Sequence, residues 1–299
     1  MIREPAGPVV LTGGTSGIGR ATVEHLLANG VDVIAIGRDA DRCRSVEIEL
    51  SVRYPERKLD FVVADLSTTG EVRRAAGEIA RLLQERWDHS LSGLSGLVNN
   101  AAMVSTWRMV TDEGYEKQFA VNHLAGFLLT RELLPLLERG TPGRVVTVSS
   151  GSHRHTTINW RDPMFSRGYT ALRAYKQSKL ANVLFTAEFN RRYAQSTGVR
   201  AYAFDPGLVR TDIGCKSSSG IERLVWRLRS RGRGASAPEL PAQHLAALAL
   251  EREMENPDAF YRVLGRAGMA DRAGSDPVSG ARLWALSEQL CQEPTLVAS

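Results

Sequence analysis

Across the first two thirds of the chain, short runs of apolar residues alternate with longer stretches in which apolar side chains recur every three or four positions. The runs Val9–Thr12, Val31–Ile36, Leu59–Ala64, Leu94–Val98, Arg144–Val148 and Val199–Phe204 have strand length and are rich in branched residues. They read as continuously apolar, as strands covered on both faces must be. Between them the helical period predicts helices at Ile18–Ala28, Val72–Arg86, Tyr115–Glu138 and Ala171–Gln195. Apolar strands separated by helices predict an α/β fold, a doubly wound parallel sheet with helices on both faces.

Two segments break the rhythm. Gly151–Gly168 carries His153, His155, Trp160 and Phe165 without periodicity, and Leu208–Ala237 is rich in Gly, Ser and Arg around a short apolar cluster at Ile221–Leu228. Both follow the carboxyl end of an expected strand, where open α/β sheets place their ligands. Helical pattern returns at Pro238–Glu253, then a last strand at Phe260–Val263 and a helix at Val278–Leu290. With no repeat, low-complexity block or linker, residues 1–299 are expected to form a single domain. Its cofactor half would run to about residue 150, and residues 151–299 would form the catalytic and substrate half.

Composition narrows the class without naming it. The 299 residues are 43% hydrophobic and 24% charged, enough to bury one large core. No apolar run approaches the ~20 residues of a spanning helix, and no leader is evident, so a cytoplasmic protein is expected. Cys43, Cys215 and Cys291 lack metal-ligand spacing, so neither a disulfide framework nor a metal site is expected. The net charge is +5, but the excess is dispersed except for Arg223–Arg233. That run holds one aromatic, Trp226, which is poor support for nucleic-acid binding. It reads as a lid edge, a patch attracting an acidic or membrane-associated substrate, or a short interfacial helix, which leaves peripheral membrane contact open.

Chemistry enters at Thr12-Gly13-Gly14-Thr15-Ser16-Gly17-Ile18-Gly19, between the first strand and the first helix. Glycines there permit a tight turn and bring backbone amides against a pyrophosphate, whose charge the helix N-terminus stabilises. Further on, Tyr175 and Lys179 lie one helical turn apart and so share a face.

The TGxxxGxG spacing resembles the short-chain dehydrogenase/reductase family, a Rossmann-type fold, and the likeness extends over nearly the whole chain. Asp65-Leu66 resembles the family's adenine contact. Asn99-Asn100-Ala101-Ala102 resembles its NNAG element, with Ala102 in place of glycine. After the second strand stands Ile36-Gly37-Arg38-Asp39, where NAD-specific members carry an acidic residue. Arg38 there leaves room for a 2′-phosphate and supplies a planar cation for it, which implies NADP(H). The alternative is that Arg38 caps a surface turn and Asp39 takes the ribose.

The same resemblance fills four catalytic roles with Asn122, Ser150, Tyr175 and Lys179. Hydride would pass between nicotinamide and a carbonyl or alcohol carbon, with Tyr175 as acid or base. Lys179 would lower the phenol's ordinary pKa of ~10 and bind the nicotinamide ribose. Asn122 would hold a water in the proton path, and Ser150 would stabilise the oxyanion; Ser149 is the alternative for that last role. Asp205-Pro206-Gly207-Leu208-Val209-Arg210-Thr211 resembles the family's PG element, so Pro206, Gly207, Val209 and Thr211 join the expected cofactor set beside Gly13, Thr15, Ser16, Gly17, Ile18, Gly19, Arg38, Asp65, Leu66 and Asn99.

Ser178–Thr186, Asp205–Thr211 and Ala281–Glu288, with the wide gap between Ser150 and Tyr175, are similar to the retinol dehydrogenase and protochlorophyllide reductase-like branch. That likeness implies a bulky hydrophobic carbonyl or alcohol, of polyketide or retinoid type, as the partner. Met103, Trp107, Trp160, Phe165, Ile213 and the Ile221–Trp226 cluster would line its pocket or, alternatively, pack beneath the loops. His153 and His155 are loop residues or substrate contacts. Two competing classes are a catalytically silent NADP-binding scaffold and a sugar epimerase or dehydratase, the latter disfavoured by the glycine spacing. The sequence leaves monomer and homodimer open.

Overall fold

The computed structural model describes residues 7–87, 93–140, 143–209, 236–250, 256 and 258–292. Among them eight strands form one sheet: β1 (Val9–Thr12), β2 (Val33–Gly37), β3 (Leu59–Val63), β4 (Gly96–Asn99), β5 (Arg144–Val148), β6 (Arg200–Asp205), β7 (Tyr261–Val263) and β8 (Arg266–Ala267). Their spatial order is β3-β2-β1-β4-β5-β6-β7-β8, parallel throughout except for the final β7–β8 pair. The order reverses direction between β1 and β4, which opens a crevice above their carboxyl ends.

The helices α1 (Gly17–Ala28), α2 (Ala40–Arg53), α3 (Thr69–Arg86), α4 (Lys117–Phe119), α5 (Ala125–Arg139), α6 (Ala171–Phe189), α7 (Gln195–Thr197), α8 (Glu239–Leu250), α9 (Arg272–Ser275) and α10 (Pro277–Leu290) cover both faces. Alternate residues of a strand face opposite ways, and the two halves of the core follow from that. Val9 and Leu11 join Val33, Ala35, Leu26 and Leu245 on one face. Val10 joins Ile34, Ile36, Leu83, Phe127 and Phe185 on the other. There α10 closes the layer with Trp284, whose ring lies 5.0 Å from Phe127 and 5.9 Å from Phe185 between centroids.

The seven expected strands lie within two residues of their expected bounds, and β8 is an addition. The expected helix Tyr115–Glu138 is interrupted: a wider π-helical turn, Ala120–Leu124, separates α4 from α5. A second such turn, Asn190–Ala194, ends α6. Helix α2 is an addition; only Cys43, Val46 and Leu50 are buried in it, and its charged face hides so narrow an apolar stripe. Pro135 lies inside α5 and does not end it.

Candidate functional site

The glycine loop leaves β1 and enters α1 under close constraint. The Gly13 amide donates to Ile36 O at 2.8 Å, and Gly13 has φ +76, a left-handed conformation that glycine adopts without strain. A Cβ on Gly19 would stand 2.2 Å from Gly13 O, so the helix can start this close to the loop only with glycine there. From the next strand, Asn100 Nδ2 donates to Thr12 O, and the Asn100 and Ala101 amides both donate to Thr12 Oγ1, each at 2.9 Å. The segment after β4 is thereby tied to the loop. Thr15, Ser16 and Ile18 are half-buried and Gly17 is exposed at the head of α1, leaving helix-terminal amides accessible to an anion.

Arg38 is exposed just beyond β2. Asp39 is the N-cap of α2 and accepts the Arg42 amide at 3.0 Å, so one of its oxygens serves the helix. Asp65 accepts the Ser67 amide at 3.1 Å, and Leu66 is buried beside it. Asn99 turns away from the crevice: its side-chain amide donates to Thr130 Oγ1 at 3.0 Å and Gly126 O at 3.4 Å. At the end of β6, Gly207 has φ +69, and Val209 bridges Ser236. Thr211, Ile213, the Ile221–Trp226 cluster and the Arg223–Arg233 run lie outside the described residues.

The four residues expected to be catalytic come from three elements. Thr170 caps α6 by accepting the Arg173 amide, which starts the helix where Tyr175 and Lys179 fall on its sheet-facing side. Lys179 is 2% exposed, donates to Val148 O at 2.9 Å and places its Nζ 5.7 Å from the centroid of the Tyr175 ring. Asn182 Nδ2 donates to the same Val148 oxygen at 3.2 Å. Ser150 is half-buried past the end of β5; its hydroxyl accepts the Ser152 amide and acts on the Tyr175 phenol. Ser149 faces the other way, 1% exposed, with its hydroxyl donated to Lys179 O at 2.9 Å. The pleat thus separates the two serines, and Ser150 is the one that meets the phenol.

One expectation needs correction. Lys179 does not bring the phenol down: desolvation dominates and pushes Tyr175 up to about 12, with the Asp205 carboxylate adding to the rise and the Ser150 hydrogen bond opposing it. Burial likewise pulls Lys179 down to about 8, against the favourable field of Asp205. Asn122 lies in the π-turn. Its Oδ1 accepts the Met103 amide at 2.8 Å, and its Nδ2 donates to Met103 O at 3.0 Å and Ser178 Oγ at 3.1 Å. These bonds clamp the chain after β4 to α6.

Of the expected pocket residues, Trp160 packs against the core under the guanidinium of Arg282, 4.4 Å from its ring centroid, and Phe165 is buried with Arg173 over its ring. Their surroundings are those of packing residues. Trp107 is half exposed. His153 is fully buried and donates from Nδ1 to Ser150 O at 2.7 Å. Its neighbours Asp205 and Tyr261, paired at 2.9 Å, were not singled out from sequence. An acidic residue closing a buried strand was the available signal for Asp205; Tyr261 offered none.

A glycine-lined helix start beside a Ser–Tyr–Lys constellation defines the class, and comparison agrees. Residues 8–221 match the short chain dehydrogenase family, and the chain belongs to that family. Within it the chain falls in the retinol dehydrogenase-like branch. It is 32% identical to human retinol dehydrogenase 13, covering 96% of this chain and 85% of that protein, and 37% identical to human retinol dehydrogenase 12, covering 77% and 69%. Among solved structures, an uncharacterised protein from Mycobacterium paratuberculosis superposes with a TM-score of 0.72 at 29% identity, covering 95% of this chain and 93% of that one. The chain is therefore an oxidoreductase of alcohol and carbonyl chemistry, of a family that uses a nicotinamide cofactor. No helix among the described residues is long and apolar enough to cross a membrane.

Proposed function

We propose that the protein is an NADP(H)-dependent reductase of a ketone or aldehyde carried on a bulky hydrophobic molecule. What carries this reading is the Ser150 hydroxyl beside the Tyr175 phenol, with Lys179 buried one turn along the same helix. The groups present suit a dinucleotide: the Gly13–Gly19 approach leaves no room for side chains where a pyrophosphate would meet backbone. Ser16, Gly17 and Ile18 would hold that pyrophosphate, Asp65 and Leu66 the adenine, and Pro206, Gly207, Val209 and Thr211 the nicotinamide end. Arg38 would meet a 2′-phosphate, a reading favoured by the use of Asp39 as a helix cap. When bound, the cofactor supplies the hydride.

The protein's own work is on the proton. The Ser150 hydroxyl accepts the Ser152 amide and can donate its own proton to the Tyr175 oxygen. A phenol held at about 12 stays protonated at neutral pH and is still far more acidic than the alcohol formed when a carbonyl is reduced, so it serves as the general acid toward the developing alkoxide. Ser150 lies where it can share the oxyanion charge. Lys179 keeps a positive charge below the phenol, and Asn122 holds Met103 and Ser178 in register.

A hydrophobic substrate is supported by Trp107, Leu172 and Leu208, large apolar side chains that are 51%, 51% and 62% exposed on segments adjoining the site. The related human proteins are named for retinol and, at 36% identity, polyprenol. Turnover of retinoid, steroid-like and polyketide-type ketones with NADPH, compared with NADH, tests the reading. Activity restricted to small polar sugars would overturn it.

A further inference from the structure

Asp205 closes β6 at 7% exposure, and a carboxylate is rarely buried so deeply without partners. Both of its oxygens are engaged. Oδ1 accepts the Gly207 amide and Oδ2 accepts the Tyr261 hydroxyl, each at 2.9 Å. Val148 pairs with Phe204, and the Ser149 amide donates to Phe204 O at 2.7 Å. Asp205 therefore stands beside the chain as it turns out of β5 into Ser150. A Cβ on Gly151 would lie 3.1 Å from Asp205 Oδ2, which puts the carboxylate against the residue that follows Ser150.

The ionisable groups around this carboxylate come from several elements. Tyr261 approaches from β7, and Tyr175 and Lys179 from α6. From the short turn after β5, Arg154 acts on Tyr261, while His153 sets its ring 5.0 Å from the Tyr261 ring and its Nδ1 on Ser150 O. Asp271 precedes α9 and faces His153 Nε2 at 3.7 Å. The Tyr261 phenol is pushed up by burial first and then by Asp205, so it stays a donor to the Asp205 carboxylate.

We propose that Asp205 is a positioning residue for the reaction, the buried counter-charge of Lys179 that also fixes the Pro206–Gly207 turn beside Ser150. The field of Asp205 acts in the same sense on both members of the α6 pair: it favours the ammonium and disfavours the phenolate. One carboxylate thus keeps both protons where carbonyl reduction needs them. The functional part of the inference rests on the oxidoreductase reading; the electrostatic part is a property of the protein alone.

The chain has five lysines, Lys58, Lys117, Lys176, Lys179 and Lys216, so carbon-13 labelling at lysine Cε gives five resonances that can be titrated in the intact protein. Lys179 is expected to titrate at about 8. Asp205→Asn keeps the shape and an acceptor for Gly207 while removing the charge. It should lower the Lys179 midpoint by about one pH unit, a tenfold change in its proton equilibrium, and move the alkaline limb of NADPH-dependent reduction the same way. Asp205→Glu should restore most of the midpoint. Tyr261→Phe removes a donor but not the charge, so the midpoint should hold or rise; this variant decides the matter if Asp205→Asn fails to fold. An unchanged midpoint in Asp205→Asn, or a fall in Tyr261→Phe, overturns the proposal. Failure of the oxidoreductase reading is separate: the wild type would oxidise no NADPH while its lysine titration still followed Asp205.

Discussion

The Lys179 ammonium donates to the main-chain oxygen of Val148 at 2.9 Å, in a setting where the side chain is 2% exposed. A single neutral acceptor does not replace the water lost by a cation, and its pKa falls from 10.5 to about 8. The sign for stability follows. A lysine whose pKa is lower folded than unfolded opposes folding while it is charged, and the opposition fades as pH rises from about 8 toward 10.5. Lys179→Met should therefore raise the stability of the protein alone at neutral pH by about 2 kcal/mol, with the gain shrinking at alkaline pH. Denaturant unfolding at a series of pH values measures it. The same variant should lose about 10²-fold or more in kcat/KM.

Arg38 carries the cofactor preference in this account. Arg38→Ala should weaken NADPH about 10- to 100-fold, the worth of one or two charge-assisted hydrogen bonds, and leave NADH nearly unchanged. Fluorescence titration with both nucleotides reads the difference. If the two affinities fell together, Arg38 would have no part in selecting the phosphate.

Gly19 tests the loop. A methyl group there meets the Gly13 carbonyl at 2.2 Å and the Asn100 side-chain amide at 2.5 Å, and the backbone contact limits relief. Gly19→Ala should reduce nucleotide affinity at least tenfold and lower stability by roughly 1–3 kcal/mol. Equilibrium dialysis and thermal unfolding should show both effects in one variant, whereas Gly70→Ala, in open space on α3, should show neither.

Trp284 ties α10 to the core through Phe127 and Phe185, with Arg192 over its ring at 4.8 Å. Trp284→Ala should cost about 3–5 kcal/mol, measurable by urea unfolding. The nucleotide loop lies at the far end of β1, so affinity for NADPH in the fraction still folded should change little.

Much of the fold could be read from sequence because a buried parallel strand leaves an unmistakable trace. Val9, Val10 and Leu11 are all apolar since each faces a helical layer. The Tyr175–Lys179 spacing was equally plain, because one helical turn fixes a shared face. Other features left no such trace. The π-turn at Ala120–Leu124 preserves an apolar rhythm on either side, so nothing in Val121-Asn122-His123 announces the wider backbone. Helix α2 was hidden by its charge. The direction of the Tyr175 shift depends on how much water the folded site excludes, a property of packing that residue spacing does not encode. The pairing of Asp205 with Tyr261 joins positions 56 residues apart and exists only once β7 lies beside β6.

The central claim is that the Tyr175 phenol, held protonated beside Ser150, gives its proton to a hydrophobic carbonyl as NADPH is consumed. NADPH oxidation against a panel of retinoid, steroid-like and polyketide-type ketones, with wild type and Tyr175→Phe side by side, tests it most directly. Turnover by the wild type and a loss of about 10²-fold or more in kcat at unchanged NADPH affinity is the predicted result. Equal turnover by the two proteins would contradict it.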